Sequence, residues 1–375
     1  MKKWKKFDLK QIDWRPLIRS RWFWFTIVSV LSLAAALGCM AGFRHTGILL
    51  RSQQAALEWA GAGETPYAQI SAFLPEGSAL DEAGIRKFHE KLDADLPDLV
   101  TEDVRNLYCD AWSTRGSTSI VGPNGSSDAS VTAVGGNFFQ LHPQNLLSGG
   151  YLSEDDLMHD RVILDEELAW KLFGGYDLSG MTVTIAGREF QVAGVIARET
   201  DPYHTAAYTD GAGLYLSYDT WTEMNESAHI SCYEIVMPEP VDGYAQQRVT
   251  DDLGVKNAVI VNNTTRYSAG SIFSLLRNFG TRSMHTEAVS YPYWENAARL
   301  VENRCVIWML LAILFWICPV ICVVVLTVKA YRKARKKIHN TYLDLKDQYE
   351  NRVLWDNLKA KWKGIKHGRS DAETH

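Results

Sequence analysis

The order of apolar and polar positions divides the chain at two long uncharged runs. Residues 22–42 and residues 305–328 contain no charged side chain, and they are 21 and 24 residues long. A helix rises about 1.5 Å per residue, so the shorter run spans roughly 31 Å, which matches the hydrocarbon thickness of a bilayer. Neither run has the polar face of a helix in a soluble core. The pattern predicts two transmembrane helices, the second containing Pro319, which a spanning helix tolerates and which often kinks it.

The first apolar run has some features of a signal sequence but is longer than one. It follows a basic segment, yet it exceeds the usual apolar length of about 7–15 residues. No small-x-small cleavage motif precedes Phe43 and Arg44. We therefore expect an uncleaved anchor.

Residues 43–304, between the two runs, show the periodicities of a mixed domain. Alternating apolar positions predict strands, and apolar stripes at helical spacing predict helices. Strands are expected at residues 67–73, 107–112, 131–134, 161–164, 213–216, 232–237 and 258–262, with a hairpin at 181–197. Helices are expected at residues 44–60, 80–92, 166–173, 243–253 and 268–279.

Two further segments of this domain are predicted as loops. Residues 113–130 are rich in Ser, Gly and Thr and are expected to form a hairpin tip or loop, and residues 199–213 an irregular loop. The fold class that follows is α+β, with β-α-β layers and a strand-rich subdomain, placed between two transmembrane helices.

The distribution of charge assigns both ends of the chain to one side of the membrane. Residues 1–21 carry eight Lys or Arg against two Asp, and residues 329–375 carry thirteen against six Asp or Glu. The whole chain has a net charge of −5, so residues 22–328 carry −18. Because basic segments stay cytoplasmic, we expect 1–21 and 329–375 in the cytoplasm, spans at 22–42 and 305–328, and an extracytoplasmic domain at 43–304.

Three consecutive carboxylates, Asp165, Glu166 and Glu167, raise the question of a catalytic or metal site. Clustered acids can transfer protons or hold a cation, but they also start helices. Here Asp165 follows a strand-like run, and Gly174 ends the apolar stripe that comes next. An N-cap aspartate, acids in the first turn and a C-terminal glycine are the preferences of helix ends. We therefore interpret the three carboxylates as a helix start.

A second acidic group, Asp201, His204 and Asp210, shares one predicted loop. These side chains suit metal ligation or proton transfer, but they are also ordinary loop residues, and no further His lies at ligand spacing. The chain has no C-x-x-C pair and no G-x-S-x-G motif, and no Ser/His/Asp or Cys/His set is identifiable. We assign no catalytic, cofactor-binding or metal-binding residue, leave the substrate-binding residues unknown, and expect neither a cofactor nor an enzyme.

Cysteine usage does not indicate a disulfide framework. Four of the six cysteines, at positions 39, 305, 318 and 322, lie in or at the apolar runs. Cys109 and Cys232 fall in the domain between the runs, where they could form one disulfide or remain buried thiols. Spacing alone leaves both outcomes open.

The basic C-terminal segment carries two apolar stripes. Apolar or aromatic residues recur every three or four positions at 338, 342, 345 and 349, and again at 355, 358, 362 and 365. The stripes predict an amphipathic helix whose phase changes near Arg352. A cluster of Lys and Arg at residues 329–337 precedes it. Such a helix is typical of an anionic lipid surface, although a docking surface for a nucleotide-binding subunit or a second copy stays open.

Residues 138–196 carry a succession of motifs that resembles one known family. The motifs are, in order, Phe138 and Phe139, Gly149 and Gly150, Asp155, VILDEELAWKLFGG, Asp177, Gly180, VTIAGREF and VAGV. This order resembles the extracytoplasmic core domain of the MacB/FtsX-type ABC transporter permeases. Tyr151 stands where that family usually has Arg.

The resemblance implies a permease-type protein with a separate motor. Family members usually have four spanning helices, so we expect a two-span form that lacks the last two. The chain has no G-x-x-x-x-G-K-[ST] loop, and the ATPase is therefore expected to be another subunit. The implied function is a non-catalytic, permease-like component of an ABC-type transport or mechanotransmission assembly, whose external domain engages a partner or substrate. The alternative is a membrane-anchored extracellular ligand-binding sensor or surface-interaction protein.

The candidate partners follow from this interpretation. They are the lipid bilayer, a separate ABC ATPase, further permease subunits and a second copy of the chain, and no nucleic acid is expected. The resemblance also implies the cell membrane of a bacterium, one of Gram-positive type.

Overall fold

The computed structural model describes residues 21–61, 65–96, 107–152, 160–208, 211–279 and 289–370. Residues 1–20 and 371–375 lie outside this part, as do Asp155 and Asp210. The chain divides into two compact units, one comprising Met1–Cys39 with Leu311–His375 and the other Met40–Leu310.

Helices and strands are mixed along the described residues. The helices are α1 (Arg21–Gly47), α2 (Ala55–Ala60), α3 (Glu82–Asp95), α4 (Phe138–Leu141), α5 (Glu166–Phe173), α6 (Pro202–Ala207), α7 (Tyr218–Met224), α8 (Tyr244–Asp252), α9 (Ala269–Arg277) and α10 (Tyr293–Ser370). The strands are β1 (Tyr67–Phe73), β2 (Cys109–Gly122), β3 (Gly125–Gly136), β4 (Asn145–Gly149), β5 (Arg161–Asp165), β6 (Thr182–Ile185), β7 (Arg188–Ala197), β8 (Gly213–Ser217), β9 (Cys232–Pro238) and β10 (Val259–Asn262).

The first unit contains the apolar segments of α1 and α10. Within it, the Ser32 hydroxyl donates a hydrogen bond to the carbonyl of Phe315 over 2.6 Å. Many large apolar side chains of both segments are exposed. Helix α10 runs without interruption through Pro319 and continues as a helix to Ser370, so the predicted helical tail is confirmed for residues 329–370.

The connection that leaves α1 differs from the single helix predicted at residues 44–60. Helix α1 ends at Gly47, a short 3-10 turn follows at Arg51–Gln53, and α2 begins only at Ala55. Side-chain amides satisfy the backbone at the break: Gln54 donates to the carbonyl of Ile48 over 2.5 Å, and buried Gln69 accepts from the Ala55 N–H over 3.2 Å. The prediction was wrong because these tertiary partners replace intrahelical hydrogen bonds.

The second unit is built on one ten-stranded sheet of mixed direction. Its order is β10-β1-β9-β2-β3-β8-β5-β7-β4, and β6 pairs with both β2 and β7. Strand pairs β3–β8 and β5–β7 are parallel, and the other pairs are antiparallel. This mixture of strands and helices confirms the α+β class.

One half of the sheet has a split β-α-β arrangement. Strands β1 and β2 are connected through α3 and lie parallel on either side of β9, and β9 and β10 are connected through α8 and lie parallel on either side of β1. This interlocked β-α-β-β-α-β order is the ferredoxin-like pattern. Alternate residues of β1 and β9 pack with α3 and α8 into one core, which includes Ile70, Phe88, Tyr233 and Val249.

The other half is inserted between β2 and β9. Because β6 pairs with β2 and β7, strands β2, β3, β8, β5, β7 and β6 form a closed ring of pairings. Their apolar side chains pack with α5 into a second core, which includes Val162, Leu164, Phe190 and Leu216. The predicted hairpin at 181–197 is confirmed as β6 and β7, with Ala186 and Gly187 at positive φ in the turn.

The segment at residues 113–130 contains a hairpin tip, as one of the two predicted alternatives had it, but most of the segment is strand and not loop. Strands β2 and β3 pair along their length up to Gly122 and Gly125, so the turn itself is only Pro123 and Asn124. Glycine in β2 serves packing: a Cβ on Gly116 would lie 2.2 Å from the ring of Trp221. The small residues that suggested a loop are therefore sites of close approach within a strand.

A third core lies on the opposite face of the sheet from the first two. It contains Phe138 and Leu141 of α4, Phe73 of β1 and Val236 of β9. Trp294, in the first turn of α10, is 2% exposed and lies in this core. The helix that carries the second apolar run therefore begins inside the folded domain.

Two details of this unit correct or settle predictions. The segment 199–213 contains the short helix α6 and is not wholly irregular, because Asp201 caps it and Pro202 favours its first turn. Cys109 and Cys232 are buried thiols and not a disulfide. The register explains this, since Cys109 pairs with Val236 while Cys232 pairs with Ser113, four positions along the ladder.

Candidate functional site

The three acidic residues at 165–167 begin helix α5, as predicted. Asp165 is the N-cap, and its Oδ1 accepts from the Leu168 N–H over 2.7 Å. Glu166 and Glu167 occupy the first turn, and Gly174 ends the helix in the left-handed conformation with φ 74°. The capping interpretation is confirmed. The second Asp165 oxygen accepts from the Gly213 N–H over 2.7 Å, which joins the helix start to β8.

Arg198, at the end of β7, contacts all three of these acids. Its Nε lies 3.7 Å from Asp165 Oδ2, its backbone N–H donates to Glu166 over 3.3 Å, and its Nη1 donates to Glu167. Burial raises the pKa of Asp165 to about 6, although the N–H groups of Leu168 and Gly213 and the charge of Arg198 act in the opposite direction. These contacts make the cluster a structural ion-pair site.

Aromatic stacking connects this cluster with α10. The Arg198 guanidinium lies 4.2 Å from the ring centre of Tyr208, and that ring stacks on Tyr293 with centroids 4.5 Å apart. The hydroxyls of Tyr215 and Tyr293 are 3.1 Å apart. Since Tyr293 is the first residue of α10, the acidic cluster supports one side of that helix start.

Asp201 and His204 form a helix cap and a hydrogen-bonded pair. Asp201 Oδ1 accepts from the backbone N–H groups of Tyr203 and His204 over 3.0 and 3.1 Å, and its Oδ2 lies 2.5 Å from His204 Nδ1. Burial alone would raise the pKa of Asp201, but the bonds with His204 outweigh it and lower the pKa. Among the described residues, no three His, Cys, Asp or Glu side chains are placed to hold a metal; Asp210 lies outside them.

A buried ionic cluster joins α10 to the loop before α9. Arg266 donates to both Glu295 oxygens over 2.6 and 2.8 Å, and through Nε to Glu302 over 2.5 Å. Its Nη1 also lies 3.3 Å from Gln53 Oε1 and 3.4 Å from Asn263 Oδ1. We name these five residues the Arg266 junction. Each of them is at most 8% exposed.

The Arg266 junction has one guanidinium against two carboxylates, and neighbouring Arg299 supplies the second positive charge. Burial would lower the pKa of Arg266, but Glu295 and Glu302 raise it well above its usual value, so the guanidinium stays charged. Arg299 adds a hydrogen bond of 2.9 Å to Glu295. Removal of one member of a buried ion pair leaves an uncompensated charge, which costs about 3–5 kcal/mol. The junction therefore resists separation of α10 from the domain.

A line of hydrogen bonds continues from the junction into the sheet. Asn263 donates to the Ser71 hydroxyl over 2.7 Å, and Ser71 donates to Glu234 over 2.6 Å. The other Glu234 oxygen bonds to His142. Burial would raise the pKa of Glu234, but His142 and Ser71 outweigh it and lower the pKa. The line runs from the first turns of α10 to β1 and β9, the second and third strands from the β10 edge of the sheet.

Sequence reasoning did not identify the Arg266 junction. Glu295 and Glu302 lie seven positions apart, so they share one face of α10. This pair of acids on one helix face, shortly before an apolar run, is the sequence signal that could have indicated the junction. Their partner comes from the polar stretch 262–268, whose composition indicates only a loop. The arrangement supplies no poised acid, base or nucleophile; it fixes three chain segments together.

Comparisons with known proteins agree with the membrane-associated architecture. The two helices long and apolar enough to cross a membrane are Trp22–Gly47 and Tyr293–Trp362 among the described residues. No curated protein sequence matches the chain significantly.

Several solved structures align with the chain. The periplasmic region of MacB from Actinobacillus actinomycetemcomitans is 18% identical with a TM-score of 0.40, over 58% of this chain and 94% of that one. The extracellular domain of the noncanonic ABC-type transporter YknZ from Gram-positive bacteria is 15% identical with a TM-score of 0.37, over 52% and 98%. A domain of a permease protein from Porphyromonas gingivalis is 13% identical with a TM-score of 0.32, over 52% and 88%.

The match to a protein family covers a larger share of the chain. The family described as MacB-like periplasmic core domain matches residues 28–253, more than half of the 375 residues. The match extends well beyond the motifs at 138–196. The chain therefore belongs to the family of membrane proteins with a MacB-like periplasmic core domain, found in ABC-type transporter-like proteins.

Proposed function

We propose that the chain is a permease-like, non-catalytic subunit that transmits motion between a separate ABC ATPase and an extracytoplasmic domain. The Arg266 junction is the observation that carries this proposal. Helix α10 includes the apolar run at 305–328, and its first turns are held by a bidentate ion pair to Arg266 and by a second bond to Glu302. A buried, charge-paired joint passes a displacement on, whereas a flexible linker would absorb it.

The distribution of charge supports the orientation in this proposal. Segments 1–21 and 329–375 lie in the cytoplasm, the chain crosses the membrane at 22–42 and 305–328, and residues 43–304 lie outside. The ATPase would then act on the basic cytoplasmic segments, and further permease subunits or a second copy would complete the assembly. The tail at 329–375 rests on anionic lipid or against one of these subunits.

The first test identifies the partners. We expect affinity purification of the full chain from its native membrane to recover an ABC ATPase. Recovery of neither an ATPase nor a four-span permease would contradict the proposal. Recovery of a kinase or another signalling protein in their place would favour the ligand-sensing alternative.

The second test examines transmission in the recovered complex. Hydrogen exchange of the outer domain, measured with and without ATP, should change in the native protein. Glu302→Gln removes the charge of one junction acid, and we expect this variant to keep the ATPase bound but to lose the ATP-dependent change. Arg248→Gln is the matched control, since Arg248 pairs with Asp95 and Asp252 far along the chain from α10. An unaltered response in Glu302→Gln would refute transmission through the junction.

A further inference from the structure

The largest cavity among those described in the second unit lies between α3, α4 and the start of α7. It has a volume of about 440 Å³, which is within the usual range of about 300–1,000 Å³ for small-ligand sites. Helix α3 forms one wall, the start of α7 forms another, and β2 and β3 form the floor. We name it the α3–α7 cleft.

Glycine in the floor of the cleft makes room for the ring of Trp112. A Cβ on Gly135 would lie 2.3 Å from the indole nitrogen of Trp112, and a Cβ on Gly136 would lie 2.7 Å from the carbonyl of Asp110. The Trp112 ring therefore lies flat against bare backbone. Its Nε1–H is buried and has no hydrogen-bond partner among the described residues. A buried donor without a partner is uncommon in folded proteins, and it takes an acceptor such as a peptide carbonyl and not the cationic group itself.

The walls of the cleft combine aromatic rings with carboxylates. Phe139 and Tyr218 line it beside Trp112. Glu82 from α3 and Asp219 from α7 meet within hydrogen-bonding reach, and burial together with the charge of Asp219 raises the pKa of Glu82. The two acids repel each other when both are ionised, so a cation between them would relieve an unfavourable contact.

The other carboxylate of the cleft already has hydrogen-bond partners. Asp110 bonds to His89 over 2.6 Å and to the Tyr233 hydroxyl over 2.9 Å. Arg86 lies beside Glu82 and compensates it in part. One negative charge of the Glu82–Asp219 pair therefore remains without a cation among the described lining residues.

These features favour an organic cation over a metal ion. No three carboxylate, His or Cys groups among the described residues are placed as metal ligands. Aromatic faces, by contrast, attract ammonium and guanidinium groups and also accommodate their apolar stems. The geometry points to the α3–α7 cleft as the binding site for a cationic, partly apolar ligand, of the class of an arginine or lysine side chain in a peptide.

Three small peptides can test this site in the full chain. The protein is labelled with fluorotryptophan and placed in nanodiscs of neutral phosphatidylcholine, so that cationic peptides do not adsorb to the lipid. The Trp112 signal in fluorine NMR is assigned with Trp112→Phe. The probes are the acetylated tripeptide amides Leu-Arg-Leu, Leu-citrulline-Leu and Leu-Glu-Leu, in which citrulline has the shape of arginine without its charge.

We expect the arginine peptide to shift the Trp112 signal saturably. The citrulline peptide should bind about tenfold more weakly, because it lacks the charge-assisted hydrogen bonds, and the glutamate peptide should not bind. Equal shifts with the arginine and citrulline peptides would overturn the cationic specificity. Shifts confined to other tryptophans, or no shift at all, would overturn the site.

Two variants, one that removes a negative charge and one that removes a positive charge, distinguish a change in binding from a loss of structure. Glu82→Gln should weaken binding of the arginine peptide, and Arg86→Gln should strengthen it. If both variants weaken binding equally, the cleft is not selecting by charge and the inference fails. The inference does not depend on the proposed transmission function, since a chain that recovered no ATPase could still bind the peptide, and the reverse also holds.

Discussion

The two apolar helices join the folded domain in different ways. Helix α1 ends at Gly47, and the chain passes through a 3-10 turn before it reaches α2. Helix α10 is already helical at Tyr293, where its first turns are enclosed by the third core and the Arg266 junction. The first connection bends through a 3-10 turn whose Gln53 also contacts Arg266, while the second is a continuous helix held by buried charges and aromatic packing. Under the proposed function, the continuous helix α10 is the element that we expect to transmit a displacement.

The largest expected effect comes from breaking the Arg266 junction. Arg266→Met leaves Glu295 and Glu302 as buried charges with less compensation, and we expect the free energy of unfolding to fall by about 3–5 kcal/mol. The measurement is chemical unfolding of the detergent-solubilised full chain. The triple variant Arg266→Met, Glu295→Leu, Glu302→Leu should recover most of the loss, because no buried charge is then left unpaired. A loss of less than 1 kcal/mol in the single variant would show that the two connections do not differ in this way.

The second prediction concerns Asp165, in the acidic cluster that supports the other side of the α10 start. The expected change in stability depends on pH. The folded pKa of Asp165, about 6, is above the ordinary value of 3.8, so the folded state favours the protonated carboxyl. The stability that Asp165 contributes is therefore complete below about pH 4 and is lost as pH rises through 6, a change of about 3 kcal/mol. Asp165→Asn keeps a capping side chain but cannot titrate.

Unfolding of the native chain and of Asp165→Asn should be compared between pH 4 and pH 7. We expect the native chain to lose stability relative to the variant as pH rises. Glu167→Gln is a suitable control, because Lys171 and Arg198 lower the pKa of exposed Glu167 and no loss above pH 5 is expected from it. A pH-independent difference between the native chain and Asp165→Asn would refute the raised pKa.

The extent of prediction from sequence differs between these regions for physical reasons. The start of α5 was predictable because the cap, the first-turn acids and the terminal glycine are local signals in ten consecutive residues. The two apolar runs were equally local. Alternation located most strands, although it could not show that β9 lies between β1 and β2, since strand order depends on contacts across the whole domain.

Long-range pairing accounts for what the sequence did not predict. Arg266 meets acids 29 and 36 positions away and an amide 213 positions away, and nothing local marks it as a partner. The small residues of β2 and β3 suggested a loop. The ring of Trp221, for which Gly116 leaves room, is remote in sequence, so the packing reason for that glycine was not visible in the local pattern. The α3–α7 cleft likewise depends on residues of several separated elements.

A smaller effect is expected from the stacking that links Arg198 to α10. Arg198→Gln removes the ion pair with Glu167 and the contact with Tyr208, and we expect a loss of about 1–2 kcal/mol, since Glu167 is partly exposed. Hydrogen exchange at residues 289–300 should become faster. Arg188→Gln is the matched control. Arg188 also forms an ion pair, with Glu223, and lies over an aromatic ring, that of Phe190, and both contacts are away from α10. Equal acceleration of exchange at residues 289–300 in both variants would argue against a specific link.

The smallest expected effect lies at the end of α1. The Thr46 hydroxyl donates to the carbonyl of Gly42 over 2.7 Å and accepts from the Trp308 indole N–H over 3.1 Å. Thr46→Val removes both bonds, and we expect a loss of about 1 kcal/mol in the same unfolding measurement, because a net hydrogen bond contributes little and this region can adjust. Thr26→Val is the matched control, since Thr26 makes the equivalent backbone bond, to Trp22, over 2.8 Å.

The ratio between the losses of unfolding free energy in Thr46→Val and in Arg266→Met decides the comparison of the two connections. If the loss in Thr46→Val is similar to that in Thr26→Val and several times smaller than that in Arg266→Met, α1 joins the domain through a compliant connection. If Thr46→Val and Arg266→Met cost the same, both helices are clamped, and a displacement of either one would reach the sheet. Transmission would then belong to the helix pair and not to α10 alone.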